Sequence, residues 1–193
     1  MLTIGGLTPF TTIDYPGKLA AVIFCQGCAW RCGYCHNRHL LDTSQPSAYV
    51  WQDVISFLEQ RRGLLDAVVF SGGEPTLQPR LPQALAAVQQ MGFLTGLHTT
   101  GAYPQRLLDC LPHLDWVGMD LKAPFELYEA ITGVTGSGAA AEQSATLLQQ
   151  SKVPCQFRTT LDPFLLADNR IEKMRLMVEG WGGKLLLQQV LLR

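Results

Sequence analysis

Cys28, Cys32 and Cys35 stand in the spacing C-x3-C-x2-C, within a short stretch that ends Cys35-His36-Asn37. Thiolates are the soft ligands that zinc and iron–sulfur clusters take. Three of them are one short of a closed tetrahedral site. The open position is where an outside ligand would enter, and where chemistry would start. The spacing alone allows two readings. One is a zinc site completed by His36, His39 or Cys25. The other is a four-iron cluster with one iron left open. Trp30 and Tyr34 lie inside the loop and are expected to shield the site from water. The other thiols read differently. Cys25 sits in an apolar run, and Cys110 and Cys155 read as small buried hydrophobes.

A loop of this kind needs a scaffold, and the rest of the chain reads as one. Leu19–Phe24 is a near-continuous apolar run of strand length, which suits a strand buried on both faces. The cysteines follow it directly. Residues 1–18 are rich in turn formers and read as a lead-in segment. The same alternation then recurs. Predicted strands lie at Ala67–Phe70, Phe93–Leu97, Trp116–Met119, Cys155–Thr160 and Lys184–Leu192. Predicted helices lie at Val50–Arg62, Pro79–Met91, Pro104–Leu114, Ala139–Gln150 and Asp168–Gly180. The glycine-rich stretch at 133–138 lacks the Lys-Ser/Thr of a phosphate loop and reads as a flexible rim loop.

Six strands alternating with helices predict parallel βαβ units with right-handed crossovers. The fold class is α/β, a partial (β/α)6 barrel of parallel strands in a single domain over 1–193. Polar groups collect at the C-terminal ends of successive strands, the rim where barrel folds build active sites. The second strand exits into Ser71-Gly72-Gly73-Glu74-Pro75. Glycines there let the backbone approach a ligand, and exposed carbonyls can accept bonds from an ammonium group.

Bulk composition narrows the function classes. Of 193 residues, 47% are hydrophobic and 16% charged, enough apolar material for one sizeable core. The net charge of -1 gives no nucleic-acid footprint. The N-terminus lacks the pattern of a signal peptide. No apolar run approaches the roughly 18 residues needed to span a bilayer. A cytoplasmic location is expected. In that reducing setting clustered thiols are metal ligands or catalytic groups rather than disulfides.

Taken together, C-x3-C-x2-C after one strand and Gly-Gly-Glu-Pro after the next resemble the radical S-adenosylmethionine superfamily. The longer pattern, Phe24-Cys25-Gln26-Gly27-Cys28 through Cys35-His36-Asn37, is similar to the glycyl-radical-enzyme activases. So is Thr12-Ile13-Asp14-Tyr15-Pro16-Gly17. Within that group the chain most resembles the activating proteins of anaerobic ribonucleoside-triphosphate reductase. The resemblance implies a [4Fe–4S] cluster on Cys28, Cys32 and Cys35, with S-adenosylmethionine chelating the open iron. It implies reductive cleavage of the sulfonium to a 5′-deoxyadenosyl radical. That radical would take a hydrogen atom from a backbone glycine of a partner. The partner would be anaerobic ribonucleotide reductase or a pyruvate formate-lyase type enzyme, and flavodoxin or ferredoxin would supply the electron.

The resemblance also implies residue roles. Gly72, Gly73 and Glu74 match the motif that receives the methionine amino group. Thr99, in His98-Thr99-Thr100-Gly101, falls near the methionine moiety, but His98 stands where the related pattern has Asp. Asp120 and Lys122 match an Asp-x-Lys pair whose opposite charges suit a zwitterion. Arg158 is expected to reach the methionine carboxylate. Tyr34, His36 and Asn37 are expected near the cofactor. Two departures stand out. No His follows the sixth predicted strand, and the chain stops there, so the groove for a partner glycine is expected to be incomplete.

Two rival functions remain at this level. A radical S-adenosylmethionine enzyme acting on a small molecule, like 7-carboxy-7-deazaguanine synthase, would continue Cys-Asp rather than Cys-His-Asn. A plain zinc or electron-transfer module would leave the Gly-Gly-Glu-Pro, Asp-x-Lys and Arg158 groups without a purpose.

Overall fold

The structure, a computed structural model, describes residues 2–189. It is one open sheet of seven strands in sequence order, β1 to β7. The first strand, β1 (Ile4–Thr11), pairs antiparallel with β2 (Ala20–Cys25). This corrects the expectation of a turn-rich lead-in. It carries Gly5, Gly6 and Pro9, poor strand formers that hid it. An edge position tolerates them because only one side needs a ladder partner. The other five pairings are parallel, through β3 (Ala67–Gly72), β4 (Leu94–Thr99), β5 (Trp116–Asp120), β6 (Cys155–Leu161) and β7 (Leu186–Gln189). Of the predicted last strand, Val190–Leu192 lies outside the described residues.

The crossovers carry α1 (Trp51–Glu59), α2 (Leu81–Gln90), α3 (Pro104–Cys110), α4 (Tyr128–Thr132), α5 (Ser137–Gln150), α6 (Pro163–Leu166) and α7 (Arg170–Gly180). The short α4 and α6 escaped the sequence reading, being too brief for helical periodicity to register. The glycine-rich stretch is not an open loop. Gly133 ends α4 and Gly136 opens α5, both in the left-handed conformation. Flanking them, Thr132 and Ser137 are buried and share a hydrogen bond of 2.7 Å. No helix is long and apolar enough among the described residues to cross a membrane.

Strand alternation divides the core. On one sheet face Ala21, Ile23, Val68, Phe70, Leu97, Val117 and Met119 pack against Leu58, Leu85, Leu107, Ala145 and Val178 of the helices. On the other face Ala20, Val22, Ala67, Val69 and Trp116 meet Tyr15. No helical residue takes part in that second cluster. The β1–β2 connection covers it instead, with Tyr15 and Trp116 ring centroids 5.3 Å apart. Small strand residues make the room, and a Cβ added at Gly96 would already meet Tyr15 Cδ2 at 3.0 Å.

Tyr15 is therefore a plug, and its removal opens a cavity on the inner face. Tyr15→Ala should destabilise the protein by about 3 kcal/mol in chemical denaturation. A loss below about 1 kcal/mol would show that the plug is not part of the core.

Candidate active site

The cysteine loop has no regular structure between Gly27 and Asn37. Its base is closed instead by backbone bonds, Gly27 N–H to the Leu40 carbonyl at 2.7 Å and Cys28 N–H to Leu41 at 3.3 Å. The Gln26 side chain donates to the carbonyls of His39 and Asp42. Farther out, Arg31 N–H donates to the Thr132 carbonyl at 2.9 Å, tying the loop to α4. The Arg31 and Arg38 guanidinium groups donate to the carbonyls of Cys28 and Gly33. Trp30 is buried edge-on against Tyr128 at 5.7 Å. Such a loop presents its three thiols from a fixed frame.

The turn after β3 supports that frame from below. Gly72 has φ of +120°, open to glycine and strained for any other residue. A Cβ on it would run into the Cys25 backbone, and one on Gly73 would meet the Leu40 carbonyl at 2.9 Å. Gly73 N–H donates to the Cys25 carbonyl at 3.0 Å, and Glu74 N–H to Gly27 at 2.8 Å. The close backbone approach that these glycines permit is thus first to the cysteine loop. Both also line the cavity described below.

Glu74 departs from its expected placement beside a ligand. It is fully buried and does not line the cavity. Its Oε1 accepts from Thr76 N–H, Thr76 Oγ1 and Thr99 Oγ1, and its Oε2 from Thr100 N–H and Thr100 Oγ1. The carboxylate joins the β3 turn to the end of β4. Thr99 is taken up in the same network and accepts from Gly101 N–H.

Charged groups gather at the ends of β5 and β6. Asp120 and Arg158 are paired in register. Arg158 donates to Asp120 Oδ1 through Nε at 2.9 Å and Nη2 at 2.8 Å. Lys122 Nζ lies 3.5 Å from Asp120 Oδ2. Burial pushes against ionisation of Asp120, but Arg158 and then Lys122 outweigh it and hold its pKa below the ordinary value. Burial likewise disfavours the Lys122 ammonium most, yet Tyr34, Asp120 and Cys32 together hold its pKa above the usual range. Arg158 is spent on Asp120 and does not line the cavity, unlike the expectation that it reaches a ligand carboxylate.

Around these groups lies a cavity of about 240 Å³. Cys28, Cys32 and Cys35 line it, with Tyr34, His36, Asn37, Gly72, Gly73, Asp120 and Lys122. The sequence reading missed Thr160 and Gln188, which also line it and are paired in register on β6 and β7. Both stand near strand C-terminal ends, the one signal that could have singled them out.

The lining fits an iron–sulfur cluster with an amino-acid-like ligand. No three His, Cys, Asp or Glu side chains among the described residues converge as a site for a single metal ion. Burial pushes the Cys28 thiol up to about 11 and raises Cys32 as well. Such thiols become thiolates only when a metal displaces the proton. The buried Tyr34 hydroxyl has no hydrogen-bond partner among the described residues, and burial lifts its pKa to about 12. It is therefore a neutral donor without an acceptor. The Lys122 ammonium, 5.6 Å over the Tyr34 ring, is a nearby cation.

A thiol-lined cavity at the C-terminal rim of an open, mostly parallel sheet suits a cluster enzyme. The model of the radical SAM superfamily matches residues 22–177, and the chain belongs to that superfamily. It is a radical SAM enzyme whose cofactors are a [4Fe–4S] cluster and S-adenosylmethionine, and it is homologous to glycyl-radical-enzyme activating enzymes. The putative glycyl-radical enzyme activating enzyme MJ1227 of Methanocaldococcus jannaschii is 31% identical over 179 residues, covering 88% of this chain and 72% of that protein. The pyruvate formate-lyase-activating enzyme of Clostridium pasteurianum is 32% identical over 127 residues, covering 63% of this chain and 53% of that one. The chain thus spans about half the length of the latter relative. In fold it resembles Streptococcus suis SuiB bound to S-adenosylmethionine, with a TM-score of 0.68 at 15% identity, over 87% of this chain and 39% of that one.

The Glu74 network makes a prediction of its own. Glu74→Gln replaces an acceptor with an amide donor that faces hydroxyls and N–H groups. It should lower unfolding free energy by about 2 kcal/mol. It should also reduce iron incorporation, because the turn beneath the cysteine loop shifts. Full stability in the variant would show that Glu74 holds nothing together.

Proposed function

We propose that this protein is an activase that generates a glycyl radical on a partner enzyme. The observation that carries the reading is the convergence of three loop thiols with Asp120, Lys122 and the unpartnered Tyr34 hydroxyl on one cavity. The similarity to MJ1227 and to pyruvate formate-lyase-activating enzymes supports the choice of a protein glycine as substrate.

In this reading Cys28, Cys32 and Cys35 hold the cluster through their thiolates. When bound, the cluster supplies the single electron that splits S-adenosylmethionine. The chain's own residues do the rest by placement. The Gly72 and Gly73 backbone meets the methionine amino group, and Asp120 offers it a carboxylate oxygen. Lys122 faces the methionine carboxylate as a compact cation. Tyr34, between two of the thiols, donates its hydroxyl to the bound groups, and Trp30 closes the loop to water. His36 and Asn37 line the side nearest Cys35. Glu74, Thr99 and Arg158 act by holding these groups in position. The partner is anaerobic ribonucleoside-triphosphate reductase, on subgroup resemblance alone, while Cys35-His36-Asn37 favours an activase over a small-molecule enzyme. A flavodoxin or ferredoxin delivers the electron.

Anaerobic incubation of reconstituted, reduced protein with S-adenosylmethionine and candidate partners tests this directly. A glycyl radical should appear by electron paramagnetic resonance on the reductase, and less on a pyruvate formate-lyase type enzyme. Release of 5′-deoxyadenosine with no radical on any glycyl-radical protein would point to a small-molecule substrate. Cys32→Ala should abolish both cluster absorption and 5′-deoxyadenosine. Lys122→Ala should retain the cluster and weaken cofactor binding about 10-fold, the loss of one charge-assisted contact. Unchanged affinity would remove Lys122 from the site.

A further inference from the structure

The plug that covers the inner sheet face touches the charged rim. The Asp14 backbone carbonyl lies 2.9 Å from His98 Nε2, on β4. Arg158 Nη1 lies 3.2 Å from the same nitrogen. The register explains how an arginine on β6 reaches β4. Gly118, on the strand between, is paired with His98, and Asp120 with Arg158. Gly118 has no side chain, so the guanidinium lies across it. A Cβ there would meet Trp116 Cη2 at 2.8 Å, Arg158 Cζ at 3.0 Å and Nη1 at 3.2 Å.

One ring nitrogen cannot serve both neighbours. Nε2–H can donate to the Asp14 carbonyl, or bare Nε2 can accept from Arg158. The ring is neutral in either case, since burial and then Arg158 lower its pKa to about 4. Trp116 packs edge-on at 5.5 Å, and the Asp14 carboxylate stands 4.0 Å from Nδ1. The guanidinium therefore finds no anion at position 98. Its Nε and Nη2 both go to Asp120 Oδ1, and Oδ2 is left beside Lys122.

We infer that His98 is a positioning residue for cofactor recognition. With the proton on Nδ1, which faces the Asp14 carboxylate of the plug at 4.0 Å, bare Nε2 accepts from Arg158 and holds it across Gly118, so that Asp120 offers Oδ2 and Lys122 to the zwitterionic part of the ligand. The inference rests on reading the cavity as the S-adenosylmethionine site. It adds that a segment remote from the thiols, residues 12–17, sets affinity through three side chains in series.

The test is S-adenosylmethionine affinity of the reconstituted holoenzyme, measured by equilibrium binding without any partner protein, with iron and sulfide content beside it. His98→Leu should weaken binding about 10-fold, the scale of losing an outer-shell partner, with cluster content unchanged. His98→Gln, neutral and able to donate or accept, should recover most of that affinity. His98→Asp should weaken it too, because a carboxylate there competes with Asp120 for Arg158. Gly118→Ala leaves residue 98 unchanged but crowds the guanidinium and the Trp116 ring that packs on His98, and should also weaken binding. It decides the matter if His98→Leu does not fold. Wild-type affinity in Gly118→Ala together with His98→Leu would overturn the inference. So would His98→Gln as weak as His98→Leu, or His98→Asp as tight as wild type. Failure to activate any glycyl-radical protein leaves this measurement intact, whereas no binding by the wild type would sink the cavity assignment itself.

Discussion

The site depends on how closely the backbone of Gly72, Gly73 and Glu74 seats against that of Cys25 and Gly27. A loop with no helix or strand of its own cannot hold three thiols in place. Here two backbone hydrogen bonds extend the β2–β3 contact past the ends of both strands. The absence of two Cβ atoms permits the distance. Glu74 then locks the turn to β4 through Thr99 and Thr100. Three successive strand ends become one rigid base, and the thiols inherit its geometry. That is why a residue that does not line the cavity can still govern what the cavity holds.

Much of the fold was legible in the sequence, because parallel strands buried on both faces leave continuous apolar runs. Val68, Val69 and Phe70 are fully buried, and no other element would use such a run so economically. The first strand was hidden for the converse reason. An edge strand with glycines and a proline carries no such signal. Residue types singled out the three thiols and the Asp-x-Lys pair, and the fold brings all five to one cavity. Glu74, Thr99 and Arg158 belong to the same motifs, yet none of them lines the cavity. A motif names its members without saying which of them face inward. Only the register, with Gly118 between His98 and Arg158, separates the supporting groups from the exposed ones.

The electrostatics of the rim follow from the same layering. One carboxylate, Asp120, stands against two cations, Arg158 and Lys122, in a setting mostly removed from water. Buried ion pairs of this kind add little net stability, because desolvation offsets attraction. Their value lies in direction. Arg158 takes one oxygen of Asp120 and keeps the carboxylate ionised, while the Lys122 ammonium stands 3.5 Å from the other. The excess positive charge sits on the cavity side, facing the thiols.

A protein folded only for its own stability would not leave the Tyr34 hydroxyl buried without a partner. Such a group costs about 1–3 kcal/mol when nothing accepts from it. Tyr34 lies between Cys32 and Cys35 in sequence, its ring 5.6 Å from the Lys122 ammonium, in a loop otherwise fastened by at least six hydrogen bonds to carbonyls. The fastening makes collapse onto the gap unavailable, so the loop cannot relieve the hydroxyl by moving. A ligand that brought an acceptor to this hydroxyl would recover the cost on binding. The rigidity that the glycine turn and Glu74 impose is thus also what makes the empty site unfavourable and the filled one tight.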